Sequence, residues 1–343
     1  MAKDSFFYEH FWKHPAVTSL EMVRMQNVAP THPMRVSVVI RSKGDRARSQ
    51  MLRRAVESVL SQSDVDVELI VVLNGEHYDQ DLIAWLGDDP RIICTTLPGP
   101  DLPRATALGR SLVTGDFFSY LDDDDEYLPG SLGRRAAVLA TNPQLDCIAT
   151  NGEYVVNGTT RPLLRATETF ERDYIDALLD GRNWMASCGA TFRTSSVTQE
   201  YFDDTTRFYE WTLIAFRIAS SLKVAFVDEP TYRVHDTPES LTKTAAYVEC
   251  RADILADMMR WNRRPSLRWK LKRNRAAAFH AACSHHRLNG DFRRAWSFHL
   301  KSLSSIYGLK YIPYTLLLLG RSRTRVPDLL RRFGIGGRVV TVG

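Results

Sequence analysis

Four consecutive carboxylates, Asp122, Asp123, Asp124 and Asp125, close the apolar run in "FFSYLDDDDEYLPG". Like charges this close repel one another unless a cation sits among them or solvent screens them. The run has two readings. Acidic runs are commonly solvated loops or helix N-terminal caps. Alternatively, the oxygens serve a hard divalent ion, Mg2+ or Mn2+, which takes carboxylate ligands and keeps room for waters and substrate phosphates. The elements that carry the run decide between them.

Those elements alternate. "RVSVVI" (35–40) is a continuous β-branched run and reads as a strand buried on both faces. "SQMLRRAVESVLSQS" (49–63) places Leu52, Val56, Val59 and Leu60 at helical spacing. "VELIVVLNG" (67–75) is a second buried strand ending in a turn, "DLIAWLGD" a short helix and "RIICTTL" a third strand. "RATALGRSLVTG" (104–115) predicts a helix with Gly115 as its stop, and "DFFSYL" (116–121) a fourth strand. The order β-α-β-α-β-α-β predicts an α/β fold with a mostly parallel sheet and helices on both faces. Ligands of open α/β sheets bind outside the carboxyl ends of the strands. The aspartates, the Leu73-Asn74-Gly75 turn and the loop "RSKGDR" (41–46) all fall on that edge, which favours the cation reading. No GxGxxG follows the first strand and no GxxxxGK[ST] occurs. The first absence argues against a Rossmann dehydrogenase, and the second excludes a P-loop NTPase.

Further along, residues 128–142 read as a helix, 146–158 as a strand with a turn, 172–185 as helix then loop, and 187–197 as strand then helix start. "YEWTLIAFRIASS" (209–221) is an amphipathic helix. Residues 223–244 read as a strand followed by a polar segment holding His235, and from 247 onward the pattern is helical. "AAAFHAACSHHRLNGDFRRAWSFHLKSLSS" (276–305) reads as two helices joined by an "NGD" turn. Residues 1–34 read as an N-terminal extension ending in the breaker-rich "APTHP".

At 343 residues, 44% hydrophobic and 25% charged, the composition suits one large globular domain or two. The five cysteines have neither metal-ligand nor redox spacing and read as reduced thiols. "MAKDSFFYEHFWKHPAV" carries charges and histidines through its apolar part, unlike a signal peptide, and "YIPYTLLLLG" is too short to span a bilayer. The expectation is a cytoplasmic protein. The net charge of +5 is unevenly spread: residues 251–343 hold 20 Lys+Arg against 4 Asp+Glu, and residues 1–250 hold 25 against 36. An acidic body thus carries a basic C-terminal region, suited either to peripheral contact with an anionic membrane or to solvated helix faces.

Taken in order, "VSVVIRSKGDRARSQMLRRAVESVLSQS", "ELIVVLNG", "GDFFSYLDDDDEYLPGSL" and "YRVHDTPESLTKT" resemble the family 2 glycosyltransferases. These are inverting, nucleotide-sugar-dependent enzymes of the GT-A fold. The resemblance covers residues 35–245. It implies a GT-A domain there, preceded by the extension 1–34 and followed by a basic, mainly helical region 246–343. The family's D-x-D-D is matched by Asp122, Asp124 and Asp125. The resemblance implies that one aspartate of the run contacts the donor ribose and that others hold Mn2+ or Mg2+ on its diphosphate. Asp122 and Asp123 are thus expected on the donor side, and Asp124, Asp125 and the late histidine His235 at the metal. The family's P-T-Y-N loop reads Arg41-Ser42-Lys43-Gly44, its D-D-G reads Leu73-Asn74-Gly75, and its A-R-N-x-G places Arg104 two residues from the expected arginine. Arg41, Ser42, Lys43, Asn74 and Arg104 are the remaining donor-binding candidates. An Asn at position 74 can pair with uracil or thymine, which points to a UDP-sugar or a dTDP-sugar. The E-D-W of the family reads Tyr209-Glu210-Trp211, making Glu210 the candidate base, with Asp203 and Asp204 behind it. The expected acceptor is a hydroxyl of a saccharide or lipid-linked saccharide, in surface polysaccharide or glycoconjugate assembly, and no nucleic acid is expected. Two rivals remain: a sugar nucleotidyltransferase, whose G-x-G-T-R type loop "RSKGDR" matches poorly, and a non-catalytic scaffold that kept the fold.

Overall fold

A computed structural model describes residues 34–156, 158–164, 173–235 and 244–320. The expected extension 1–34, most of "HDTPESLTKT" and residues 321–343 therefore lie outside the described residues, Met34, His235 and Thr244 excepted.

The chain opens with β1 (Arg35–Ser42), α1 (Ser49–Leu60), β2 (Asp66–Leu73), α2 (Gln80–Gly87), β3 (Ile92–Thr96), α3 (Leu102–Ser111) and β4 (Phe117–Asp122). β1 pairs in parallel with both β2 and β4, and β2 in parallel with β3. The two-sided burial expected of such strands is met. Val39, Ile70, Val72, Phe118 and Tyr120 enter one apolar cluster; Val38, Ile40, Leu69, Val71 and Leu121 enter the other, on the opposite face. The period-2 geometry of a strand sends alternate residues to opposite faces, so a continuous apolar run is what a covered parallel sheet needs.

The second half is more mixed. It contains β5 (Glu126–Tyr127), α4 (Ser131–Thr141), β6 (Cys147–Val156), β7 (Thr159–Pro162), α5 (Tyr174–Leu179), β8 (Ala190–Arg193), α6 (Glu210–Ser221) and β9 (Val224–His235). The sheet order is β3-β2-β1-β4-β8-β6-β9-β5, with β7 on β6. β8 runs antiparallel between β4 and β6, while β6 and β9 are parallel.

Two local expectations are corrected. α3 begins at Leu102, not 104, because Asp101 caps it by accepting from Arg104 N at 3.0 Å and a proline occupies its first turn. Nor is Gly115 the helix stop; α3 ends at Ser111. A Cβ on Gly115 would lie 2.8 Å from the Arg35 carbonyl and 2.9 Å from Ser37 N, so glycine is needed there to let β4 start against β1. Residues 187–197 also differ: a 3-10 turn, Ser187–Gly189, precedes the strand, and a second 3-10 turn, Gln199–Tyr201, comes after it in place of a helix start.

α7 (Ala245–Trp261), α8 (Arg268–Leu288), α9 (Phe292–Leu303) and α10 (Thr315–Leu319) complete the described chain, with a 3-10 helix, Ile306–Tyr314, before α10. The "NGD" turn is as read: Gly290 has φ +83° and Asp291 caps α9. α7 starts at the 245/246 division, yet it does not stand apart. Ile254, Leu255 and Met258 of α7 and Leu271 and Phe279 of α8 enter the same cluster as β1 and β4. The late helices split from that core only at Cys283, Ala295, Tyr314 and Leu318, which form a small cluster of their own.

Candidate active site

Parallel pairing sets Arg41 opposite Asp122, so the loop after β1 meets the acidic run at the end of β4. The repulsion among the carboxylates is answered from within the chain. Arg41 Nη2 donates to Asp122 Oδ1, and Ser187 Oγ donates to Asp122 Oδ2 at 2.6 Å. Arg48, at the entry of α1, donates to Asp123 Oδ1 at 2.9 Å and to Asp124 Oδ2 at 3.0 Å. Arg54 donates to the Asp124 carbonyl. Ser42 Oγ donates to Asp123 Oδ2 at 2.5 Å. Asp125 accepts from His235 N at 3.2 Å and from Cys188 Sγ at 3.5 Å.

The four carboxylates divide by position. Asp123 and Asp125 are buried, whereas the side chains of Asp122 and Asp124 are 39% and 20% exposed. Burial pushes Asp123 up to about 6, against the pull of Arg48. Burial, then the charges of Asp122 and Asp124, holds Asp125 well above the ordinary carboxylate range. The D-x-D spacing thus joins the two more exposed carboxylates, Asp122 and Asp124, and leaves Asp123 and Asp125 buried.

Among the described residues, no three or more His, Cys, Asp or Glu side chains are grouped to hold a metal ion. Mg2+ and similar ions need no such cage. One or two carboxylates suffice when substrate phosphates and water complete the shell. The partly exposed carboxylates of Asp122 and Asp124 fit that sparse mode. His235 closes β9 and meets the run through its N–H to Asp125; its Nε2 lies 3.2 Å from Glu126 Oε1, an oxygen also bound by Arg233 at 3.0 Å.

Glu210 opens α6 and is buried. Its Oε1 accepts from Phe208 N at 3.1 Å, and Phe208 holds φ +71°. A bulky residue in that region is strained, and strain of this kind persists only where surrounding structure imposes it. Burial raises the Glu210 pKa; the charge of Arg41 opposes this and that of Asp122 adds to it. The candidate base thus lies within the electrostatic reach of both groups. Arg41 is the link. Its guanidinium is 2% exposed, donates to Thr106 Oγ1 at 2.9 Å, and sits 5.6 Å from the Tyr120 ring centroid and 5.4 Å from that of Trp211. Two donors in this cluster, Arg41 Nε and Trp211 Nε1, are buried with no hydrogen-bond partner among the described residues.

Asn74 is buried, and its N–H donates to the Ser42 carbonyl at 2.8 Å. A Cβ on Gly75 would fall 2.0 Å from the Lys43 carbonyl, so glycine alone lets the two loops touch. Lys43 is exposed. Arg104 lines a cavity of about 760 Å³ together with Asp203, Asp204 and Arg207. The reserve carboxylates thus share a cavity with Arg104, while Glu210 shares its surroundings with Arg41 and Asp122.

Sequence reasoning missed Arg48, Arg54, Ser187 and Cys188. The arginines had a signal: a run of carboxylates demands cations, and "RARSQMLRR" is the basic stretch on the same sheet edge. Ser187 and Cys188 had none, because only the antiparallel insertion of β8 beside β4 brings them there.

Residues 37–202 match the family model described as Glycosyl transferase family 2. Residues 37–202 are a family 2 glycosyltransferase domain. No curated protein sequence matches the chain. Among solved structures, S. aureus TarS 1–349 in complex with UDP-GlcNAc superposes with a TM-score of 0.60 at 13% identity, covering 89% of this chain and 93% of TarS 1–349. The UDP complex of the same TarS fragment gives 0.57 at 14% identity, covering 90% and 94%. At such identities the likeness shows the fold, GT-A, including the helices that come after the family 2 domain.

Proposed function

We propose that the protein is an inverting glycosyltransferase that moves a sugar from a nucleoside diphosphate, UDP above dTDP, to a hydroxyl acceptor in surface polysaccharide or glycoconjugate assembly. The observation that carries this reading is the convergence of Glu210, Arg41 and the partly exposed pair Asp122 and Asp124 at one sheet edge. Such a transfer has three needs: charge on the departing diphosphate must be neutralised, a proton must leave the acceptor hydroxyl, and the two must stand in line.

Asp124, with Asp122, Asp125 and His235 beside it, would hold Mn2+ or Mg2+, and that ion would supply charge neutralisation to the diphosphate. Asp122 and Asp123, with Ser42 and Lys43, would take the donor's ribose and phosphates. Asn74 would read the base, accepting from a pyrimidine N–H and donating to a neighbouring carbonyl. TarS, which shares the fold, binds UDP-GlcNAc, in keeping with a UDP-sugar here. Glu210 would take the acceptor proton. Its burial and raised pKa make it a stronger base than an exposed glutamate, and the charge of Arg41 favours its ionised form. Arg104 would contribute from the neighbouring cavity, at the edge of the donor.

The test is a panel of nucleotide-sugars assayed for slow release of nucleoside diphosphate with and without Mn2+, by the native chain and by Glu210→Gln. Metal-dependent release from one donor by the native chain supports a transferase. Release of pyrophosphate from a nucleoside triphosphate and a sugar phosphate would support a nucleotidyltransferase instead, and no turnover of any donor would support a scaffold.

A further inference from the structure

The segment after α9 is apolar on both sides. Tyr314 and Leu318 turn inward and pack with Cys283 and Ala295. Ile306, Leu309, Ile312, Leu316 and Leu319 turn outward and are 50–74% exposed. The spacing explains the alignment. Ile306–Tyr314 is a 3-10 helix, whose period of three stacks residues 306, 309 and 312 in line, and α10 continues the line through 316 and 319. Leu300 on α9 is also exposed, at 62%. Soluble surfaces scatter single apolar residues, but a contiguous stripe of large ones marks a surface that is covered in use.

Charge indicates what covers it. Between Asp291 and Asp328 the sequence holds no acidic residue, yet it holds Arg293, Arg294, Lys301, Lys310, Arg321, Arg323 and Arg325. Arg293, Lys301 and Lys310 are exposed on α9 and in the segment that follows it; Arg294 is also exposed but pairs with Glu249 at 3.0 Å. Tyr307 and Tyr311 are half-buried within it. Leucine and isoleucine with a rim of cations and tyrosines is the composition of a helix lying in a bilayer interface. Nucleic acid would use the cations but offers nothing to bury the leucines. A second copy of this chain would bring the same cations and no acid from this segment to meet them.

We propose that the outward face of residues 306–319 docks on an anionic lipid surface, its apolar stripe entering the headgroup boundary and its cations facing lipid phosphates. No helix among the described residues is long and apolar enough to cross a membrane, so the contact is peripheral. The proposal stands apart from the transferase reading.

The test is co-sedimentation of the full chain with vesicles of pure phosphatidylcholine and of phosphatidylcholine mixed with phosphatidylglycerol. Binding is expected to the mixed vesicles alone, weakening as salt is raised. The double variant Ile312→Glu, Leu316→Glu should lower it by about 10-fold or more, since it withdraws two apolar side chains from lipid and sets two negative charges against anionic headgroups. Both positions are exposed, so the variant should keep the native circular dichroism and melting temperature. A second variant, Lys301→Glu with Lys310→Glu, should weaken binding most at low salt. Failure to bind mixed vesicles, equal binding by the Ile312→Glu, Leu316→Glu variant, or self-association that this variant abolishes in the absence of lipid would each overturn the proposal. Nucleotide-sugar turnover in solution is read separately and can fail or succeed independently.

Discussion

The acidic run after β4 and the basic stripe after α9 treat charge in opposite ways. Around residues 122–125, every carboxylate meets a donor of the same chain: Arg41, Arg48, Ser42, Ser187, Cys188 or the His235 amide. On α9 and after it, the cations Arg293, Lys301 and Lys310 stand exposed, as do Leu300, Leu309, Leu316 and Leu319. A site that must bind and release a charged small molecule is preorganised, because hydrogen bonds made in advance cost no reordering during turnover. A surface that meets a fluid, extended partner needs no such precision, only area and net charge. The first region is therefore expected to be sensitive to single atoms, the second to sums over several side chains.

The largest effect should come from the exposed half of the acidic run. Asp124→Asn removes one negative charge, and sugar transfer in the presence of Mn2+ should fall by about 10³-fold, several kcal/mol of lost charge stabilisation. The melting temperature should hardly move, because Asp124 is only partly buried. An equal loss from every other exposed carboxylate, such as Asp88, would dissolve the contrast between a built site and an acidic surface.

Next is Glu210→Gln, which keeps the shape and the Phe208 contact but removes basicity. Turnover should fall by about 10²-fold or more, with donor affinity near normal. Retained turnover would move the base to Asp203 or Asp204. The pH profile gives the sign independently. Burial raises the Glu210 pKa, so the protonated, inactive form persists to higher pH than for an exposed glutamate. The acid limb of kcat should lie above the usual glutamate range, with activity lost as pH falls through it. Arg41 acts in the opposite sense on Glu210, so Arg41→Gln should move that limb to still higher pH, with turnover at neutral pH lower by roughly 10-fold. Arg41→Lys should restore part of the shift but not the Thr106 bond, since an ammonium lacks the planar fork.

How much of this is legible in the sequence depends on which forces are local. β1, β2 and β4 are readable because a strand buried on both faces must be apolar throughout. The order of elements then places residues 41–46, 74 and 122–125 on one edge without any structure. The start of α3 escapes such reading because Pro103 looks like a breaker, whereas with Asp101 as cap it sits in the first turn. Gly115 looks like a helix stop because its role is contact with the Arg35 carbonyl, a neighbour distant in sequence. Ser187 and Cys188 are invisible for the same reason: the strand β8 that delivers them runs against the direction of its neighbour β4. The late helices read correctly as helices, yet nothing in their pattern separates α7, which enters the main core, from the stripe after α9, which stays outside it. Burial of an amphipathic face depends on what lies opposite, and periodicity alone does not record it.

A smaller effect tests the loops that frame the site. Gly75→Ala places a methyl group against the Lys43 carbonyl and should destabilise the fold by about 2 kcal/mol, read as a lower urea midpoint. The smallest should come from crossing between the regions. With a soluble donor and no lipid, the double variant Ile312→Glu, Leu316→Glu should leave hydrolysis of the nucleotide-sugar within about twofold of native, because distant sites add independently.

The most direct test of the central claim is equilibrium binding of UDP by titration calorimetry, with Mn2+ and with EDTA, to the native chain and to Asp124→Asn. The expected result is binding by the native chain that requires Mn2+ and is lost in Asp124→Asn, with both proteins melting alike. UDP bound equally well by both proteins, or equally well in EDTA, would contradict the assignment of the exposed aspartates to a nucleoside diphosphate held through a metal ion.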